Sequence, residues 1–353
     1  MNTSITAREM HQRQITLLGA DNHQKIVQSR ILVVGAGGLG CPALQYLAAA
    51  GVGELGIVDF DTVSVSNLQR QILFSIADVG ENKSKVACSK LSELAPYVKF
   101  HSFPVHINAS NVASIIESYD VVLDCTDNFL SKFLLHDTCF QLKKVLIQAS
   151  VYQYEGQLHV FDFRKQQGPC WRCLWPEPPH DGCTGTCAEV GVLGPLLGVM
   201  GSMQAMEALK LVTNQEHLPN GTSLFVDLKG LAFDQRKFKH LNDCPCCVKK
   251  VISQDNVLQI QLPSDLEQYI ILDVRSPEET SACPFVKGLK QHQRLTSIPL
   301  EKINEFIPEP ESRYLAICAR GIRALKASQE IRKNHAEIYS LIGGINGVLN
   351  ERR

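Results

Sequence analysis

The chain has 353 residues, 44% hydrophobic and 20% charged, which is the length of about two or three domains and the composition of an ordinary globular protein. Lysine and arginine (35) balance aspartate and glutamate (36) to a formal net charge of -1, so there is no basic footprint for nucleic acid. No run approaches the roughly 18 apolar residues of a membrane span, and the polar segment 1–14 has no apolar signal core, so a cytoplasmic protein with no membrane partner is expected.

Residues 1–30 read as helical, with apolar spacing at Ile15, Leu18, Ile26 and Val27. From there strand and helix patterns alternate. Residues 31–34 and 55–59 read as buried parallel strands around a helix near 38–50. Residues 121–124 and 145–149 are apolar runs of the same type. This alternation predicts an α/β fold with a doubly wound, mostly parallel sheet. Residues 157–163 alternate as an antiparallel strand does. Residues 195–212 read as a helix with Pro195 near its start, and Met200, Met203 and Met206 as its core-filling side chains. The polar stretch 249–256 reads as a linker. A second, smaller α/β unit comes after it, with strand candidates at 270–274 and 314–318. The expected domains are 1–248 and 257–353.

The turn Gly35-Ala36-Gly37-Gly38-Leu39-Gly40 directly follows the first strand and opens a helix. Glycine there permits a tight turn and close approach of backbone to phosphate, and the helix N-terminus offers unpaired N–H groups. Asp59, at the end of the next strand, is placed for ribose hydroxyls. Alone, this pattern reads as a nicotinamide dehydrogenase. The polar motifs further along the chain do not suit one. They are Asp59-Phe60-Asp61, Ser66-Asn67-Leu68-Gln69-Arg70-Gln71, Lys83, and Asp124-Cys125-Thr126-Asp127-Asn128. Arginine and lysine beside a phosphate cradle neutralise a triphosphate and its departing pyrophosphate. An aspartate at a strand end can hold Mg²⁺.

The chain has 13 cysteines, an odd number, which in a long chain without a signal core points to metal or thiol chemistry rather than a disulfide framework. Cys170 and Cys173 form one C-x-x-C pair, and Cys244 and Cys247 another; Cys246 competes for the last place, but the two-residue spacer favours Cys247. Two such pairs present four thiolates to a structural zinc. Cys183 and Cys187 lie in the small, polar, glycine-rich stretch 181–189, a setting for an exposed nucleophile. Cys318-Ala319-Arg320-Gly321-Ile322-Arg323 forms a loop between a strand-like and a helix-like run. A cysteine in such a loop is a candidate reactive thiolate.

Residues 8–248 closely resemble the ATP-dependent activating enzymes of the ubiquitin-like system, in particular the MoeB/ThiF/HesA family. The resemblance rests on GAGGLG, DFDTVSVSNLQRQ, Lys83, DCTDN and GVLGPLLGVMGSMQAMEALK. It implies a Rossmann-like sheet, with Gly35, Gly37, Gly38 and Gly40 cradling ATP and Asp59 on its ribose. It places Asn67, Arg70 and Lys83 on the phosphates and Mg²⁺ on Asp127. Arg13 matches an arginine that reaches ATP from the neighbouring subunit, which implies a homodimer. The family also places a structural zinc as Cys170, Cys173, Cys244 and Cys247 would, and Cys187 matches a position that links covalently to the partner in some members.

Residues 255–353 resemble a rhodanese domain, through Asp273-Val274-Arg275-Ser276-Pro277-Glu278-Glu279, the Cys318 loop and Gly343-Gly344-Ile345-Asn346-Gly347. Val286-Lys287-Gly288-Leu289-Lys290 departs from the His-Ile-x-Gly-Ala run usual in that module. Together the resemblances imply adenylation of the C-terminal Gly-Gly of a ubiquitin-like sulfur carrier of the ThiS or MoaD type. Cys318, as a persulfide, would then pass sulfur to give a thiocarboxylate for thiamine or molybdopterin synthesis. The donor would be thiosulfate or a cysteine desulfurase. The alternatives are an adenylyltransferase with a non-catalytic rhodanese fold, and a scaffold that only holds the carrier.

Overall fold

Short apolar runs build the first sheet of the computed structural model, which describes residues 7–165, 168–176, 191–250, 258–260, 266–282, 294–309, 312–319, 321–332, 337–341 and 344–345. Its strands are β1 (Arg30–Val34), β2 (Glu54–Val58), β3 (Lys99–Phe103), β4 (Val121–Asp124), β5 (Val145–Tyr152), β6 (Glu155–Asp162), β7 (Thr222–Asp227) and β8 (Ala232–Lys237). They lie in the order β3-β2-β1-β4-β5-β6-β7-β8. Pairing is parallel from β3 to β5 and antiparallel from β5 to β8. The strand order reverses beside β1, which pairs with β2 on one side and β4 on the other. That reversal opens a crevice at the carboxyl ends of β1 and β4.

The strands β1 and β4 are buried on both faces, which is why they read as unbroken apolar runs. On one face Ile31, Val33, Leu55 and Ile57 pack with Leu44, Leu47, Leu91, Leu197 and Met200. These come from the helices Gly40–Ala49, Lys83–Leu94 and Gly194–Val212. On the other face Leu32, Val58 and Val122 pack with Ile116, Phe133 and Leu135. The layers are those of a doubly wound sheet, as the alternation predicts. The N-terminal helical region is broken at Gly19, with φ +80, into Gln12–Leu18 and Ala20–Gln28.

One expectation is corrected. Met200 is fully buried and Met203 packs at the core edge, but Met206 is 58% exposed. Six residues at 3.6 per turn carry it about 120° around the helix from Met200, out of the buried stripe.

The smaller unit is an all-parallel sheet of β9 (Leu258–Ile260), β10 (Ile270–Asp273), β11 (Leu295–Ser297), β12 (Arg313–Ile317) and β13 (Glu337–Leu341), in the order β11-β10-β12-β13-β9. Ile271, Leu315, Ile317 and Leu341 fill one face, and Leu272, Ala316, Ala324 and Ala327 the other. Contacts divide the chain into two compact units, the smaller drawn mainly from Ser253 onward. Among the described residues, no helix is long and apolar enough to cross a membrane.

Candidate functional site

The glycine turn closes over the end of β1. Gly35 has φ +96 and donates its N–H to Val58 O at 2.8 Å. A Cβ on Gly40 would lie 1.9 Å from Gly35 O, and one on Gly38 2.7 Å from Leu197 Cδ1. Backbone packing therefore requires glycine at 40, whereas at 38 the Leu197 side chain would have to shift. Gly37 differs, because the nearest protein atom to its Cβ position is Gln71 Nε2 at 3.8 Å. The space over Gly37 lies at the N-terminus of the helix Gly40–Ala49, the place a phosphate takes in such turns.

Asp59 follows β2 and accepts from Ala36 N at 2.7 Å and Asp61 N at 2.9 Å. Burial pushes its pKa up to about 6, against the opposing charge of Lys83. Lys83 opens the helix Lys83–Leu94, is buried, and sits with Nζ 2.9 Å from Asp61 Oδ2. Asp61 has no role in the sequence reading, although the spacing of Asp59-Phe60-Asp61 brings both acids to this strand end. Asn67 ends a short helical turn and its carbonyl oxygen accepts from Arg70 N at 3.0 Å. The Arg70 guanidinium donates to Ser66 O at 3.0 Å.

The two acids of Asp-Cys-Thr-Asp divide their work. Asp124 is fully buried and accepts from Thr126 N at 2.9 Å, Thr126 Oγ1 at 2.6 Å, Gln148 Nε2 at 2.8 Å and Lys132 Nζ at 3.3 Å. Asp127 is exposed beyond β4. Of this pair, only Asp127 offers an open carboxylate to a hard cation, so the site fits Mg²⁺ at that residue. Arg13 is exposed on the helix Gln12–Leu18. Among the described residues, no hydrogen bond joins it to the crevice.

The cysteines Cys170 and Cys173 flank the start of the one-turn helix Trp171–Leu174 and lie within it, respectively, and Cys244 to Cys247 lie in a turn closed by Lys249 N to Cys244 O at 2.9 Å. The sulfurs of Cys170, Cys173, Cys244 and Cys247 all lie within 4.8 Å of one another. The Cys170–Cys244 and Cys173–Cys247 sulfurs are 3.7 and 3.4 Å apart. A tetrahedral zinc with bonds near 2.3 Å sets its sulfurs about 3.8 Å apart, so this set fits the metal. Cys246 is buried beside Cys170 and His136 and stands outside the four.

In the smaller unit Cys318 comes directly after β12 and is fully buried. Its Sγ accepts from Gly321 N at 3.0 Å and Ala324 N at 3.4 Å. These N–H groups stabilise an anionic sulfur. Gly344 stands behind the loop with φ +62, where a Cβ would lie 2.5 Å from Cys318 O. Arg275 makes two bonds to Asp273, at 2.8 and 2.7 Å. Arg323 makes two to Glu279, both 2.7 Å, and this pairing draws the Glu279 carboxyl down to about 2. Arg320, Cys183 and Cys187 lie outside the described residues.

Residues 11–246 match the model of the ThiF family. The Drosophila virilis protein named adenylyltransferase and sulfurtransferase MOCS3 is 33% identical over 384 residues, covering 99% of this chain and 85% of that protein. The sulfur carrier protein adenylyltransferase of Thermus thermophilus is 40% identical over 244 residues, covering 68% of this chain and 90% of that protein. Among solved structures, Escherichia coli MccB with ATP superposes at a TM-score of 0.59 with 18% identity, covering 68% of this chain and 75% of that one. That likeness is one of fold. The chain belongs to the ThiF family and is an adenylyltransferase with sulfurtransferase activity.

Proposed function

We propose that the chain adenylates the C-terminal Gly-Gly of a ubiquitin-like sulfur carrier of the ThiS or MoaD type, then delivers sulfur to it as a thiocarboxylate. One observation carries the reading. The same chain holds a phosphate crevice with Asp59, Lys83 and an open Asp127, and a cysteine sulfur facing two backbone N–H groups.

The carrier carboxylate attacks the α-phosphorus of ATP, and pyrophosphate leaves. Asp59 holds the ribose. Lys83, Arg70 and Asn67 take the phosphate oxygens and neutralise the charge that grows there. Asp127 would hold Mg²⁺, which supplies further positive charge beside the phosphates when bound. A persulfide on Cys318 then attacks the acyl carbonyl and displaces AMP, leaving the carrier as an acyl disulfide. The Cys187 thiolate attacks Cys318 Sγ in that bond. The carrier departs as a thiocarboxylate, and Cys318 and Cys187 are left as a disulfide for a thiol reductant to reopen. Cys170, Cys173, Cys244 and Cys247 would hold a structural zinc with no open position.

The sulfur donor is thiosulfate or the persulfide of a cysteine desulfurase.

The test is the intact mass of ThiS- and MoaD-type carriers after incubation with the chain, Mg-ATP, and either thiosulfate or a cysteine desulfurase with cysteine. The expected product has one oxygen replaced by sulfur, on one carrier, and is absent with Cys318→Ala. AMP formation without sulfur gain would leave the second unit a fold without the proposed task. Carrier binding without AMP formation would support the scaffold reading.

A further inference from the structure

The loop after β2 and the helix Lys83–Leu94 come from separate stretches of chain, yet both must be in place at the crevice. Besides the Lys83–Asp61 ion pair, the Asn82 side chain joins them. Asn82 Nδ2 lies 3.2 Å from Asp59 O, 3.2 Å from Phe60 O and 3.1 Å from Asp61 O. Its Oδ1 accepts from Lys85 N at 3.2 Å, the capping bond of the helix that Lys83 opens. The same oxygen accepts from Ser84 Oγ at 2.7 Å. Backbone bonds continue the seam, with Lys83 N to Asp61 O at 2.9 Å and Val63 N to Glu81 O at 2.9 Å.

We infer that Asn82 is a positioning residue for nucleotide binding, holding the ribose-side Asp59 and the phosphate-side Lys83 in register through its amide. The inference rests on the ATP reading of the crevice. The chemistry requires an amide. A cap needs only an acceptor, and serine or aspartate supplies one as well as asparagine does. Gathering three carbonyl oxygens needs a donor in the same side chain. Serine is too short to reach all three, and an aspartate oxygen would repel them.

The substitutions Asn82→Ser and Asn82→Asp therefore separate the two duties. Both keep the cap, so the helix start survives in each, and any fall in melting temperature reports the lost carbonyl bonds alone. The dissociation constant for Mg-ATP, measured by equilibrium binding without a carrier, rises about fivefold in Asn82→Ser and more in Asn82→Asp. At saturating ATP, the rate of ATP–pyrophosphate exchange with the carrier changes less than KM does. Unchanged ATP binding in both variants, with Asn82→Ala losing only thermal stability, would reduce Asn82 to a helix cap and overturn the inference. A parent chain that does not bind ATP would overturn the nucleotide reading itself.

Discussion

Gly37 and Gly40 stand in one turn and answer to different constraints. A methyl on Gly40 would strike Gly35 O, whereas one on Gly37 would meet only ordinary contact with the Gln71 side chain. Gly40→Ala is expected to cost about 1–3 kcal/mol of stability by overpacking. Gly37→Ala is expected to melt like the parent and to lose ATP affinity, because on the proposed reading its methyl would take the place of a phosphate. Thermal melts beside ATP titrations read both. Asp59 adds a pH dependence. Its folded pKa is raised to about 6 by burial, from 3.8. The folded chain thus binds this proton more tightly than the unfolded one. The residue opposes folding at pH 7, and the opposition is relieved as pH falls through about 6. On the proposed reading ATP binding runs the other way, since an ionised Asp59 would accept from the ribose hydroxyls. KM for ATP should rise as pH drops below about 6. A profile with no inflection there, or the same inflection in Asp59→Asn, would remove Asp59 from the site.

At the scale of elements, what could be read beforehand tracks burial. The strands β1, β2, β4 and β5 are largely buried and stood out as apolar runs. The edge strand β3 mixes exposed and half-buried residues, and β8 is exposed throughout, so neither carries such a run. Both form because a neighbouring strand offers its hydrogen bonds. Asp61 and Asn82 were equally silent, because their partners are fixed by the tertiary approach of one loop to one helix. The two cysteine pairs could be read by spacing, which also favours Cys247 over Cys246, and the sulfur positions group the same four. That grouping gives a metal prediction. Cys246→Ser should retain one zinc per chain, and Cys247→Ser should lose it, by elemental analysis after dialysis against a chelator. Loss of the metal unties two segments 74 residues apart, so the melting temperature should fall with it.

At the scale of the whole molecule, the homodimer that the family resemblance implies rests on Arg13, which is exposed on its own helix and makes no hydrogen bond to the crevice among the described residues. If it serves the neighbouring subunit, Arg13→Ala and Lys83→Ala chains are each inactive but complement one another. Half of randomly mixed dimers are hybrids with one intact site of two, so an equal mixture should regain about a quarter of parental exchange activity. A mixture as inactive as its parts would return Arg13 to the surface.

The thiols of the first unit have a consequence of their own. Cys41 lies on the glycine-turn side of the sheet with its pKa pushed up to about 12 by burial. Cys125 on that side and Cys139 on the other are buried and likewise pushed up. At mildly alkaline pH an alkylating reagent finds these sulfurs protonated and enclosed. Each is modified only as often as its side of the sheet opens. A timed labelling series, read peptide by peptide, thus gives an opening rate for the face of Cys41 and Cys125 and one for the face of Cys139, and equal rates would mean that the two faces open together.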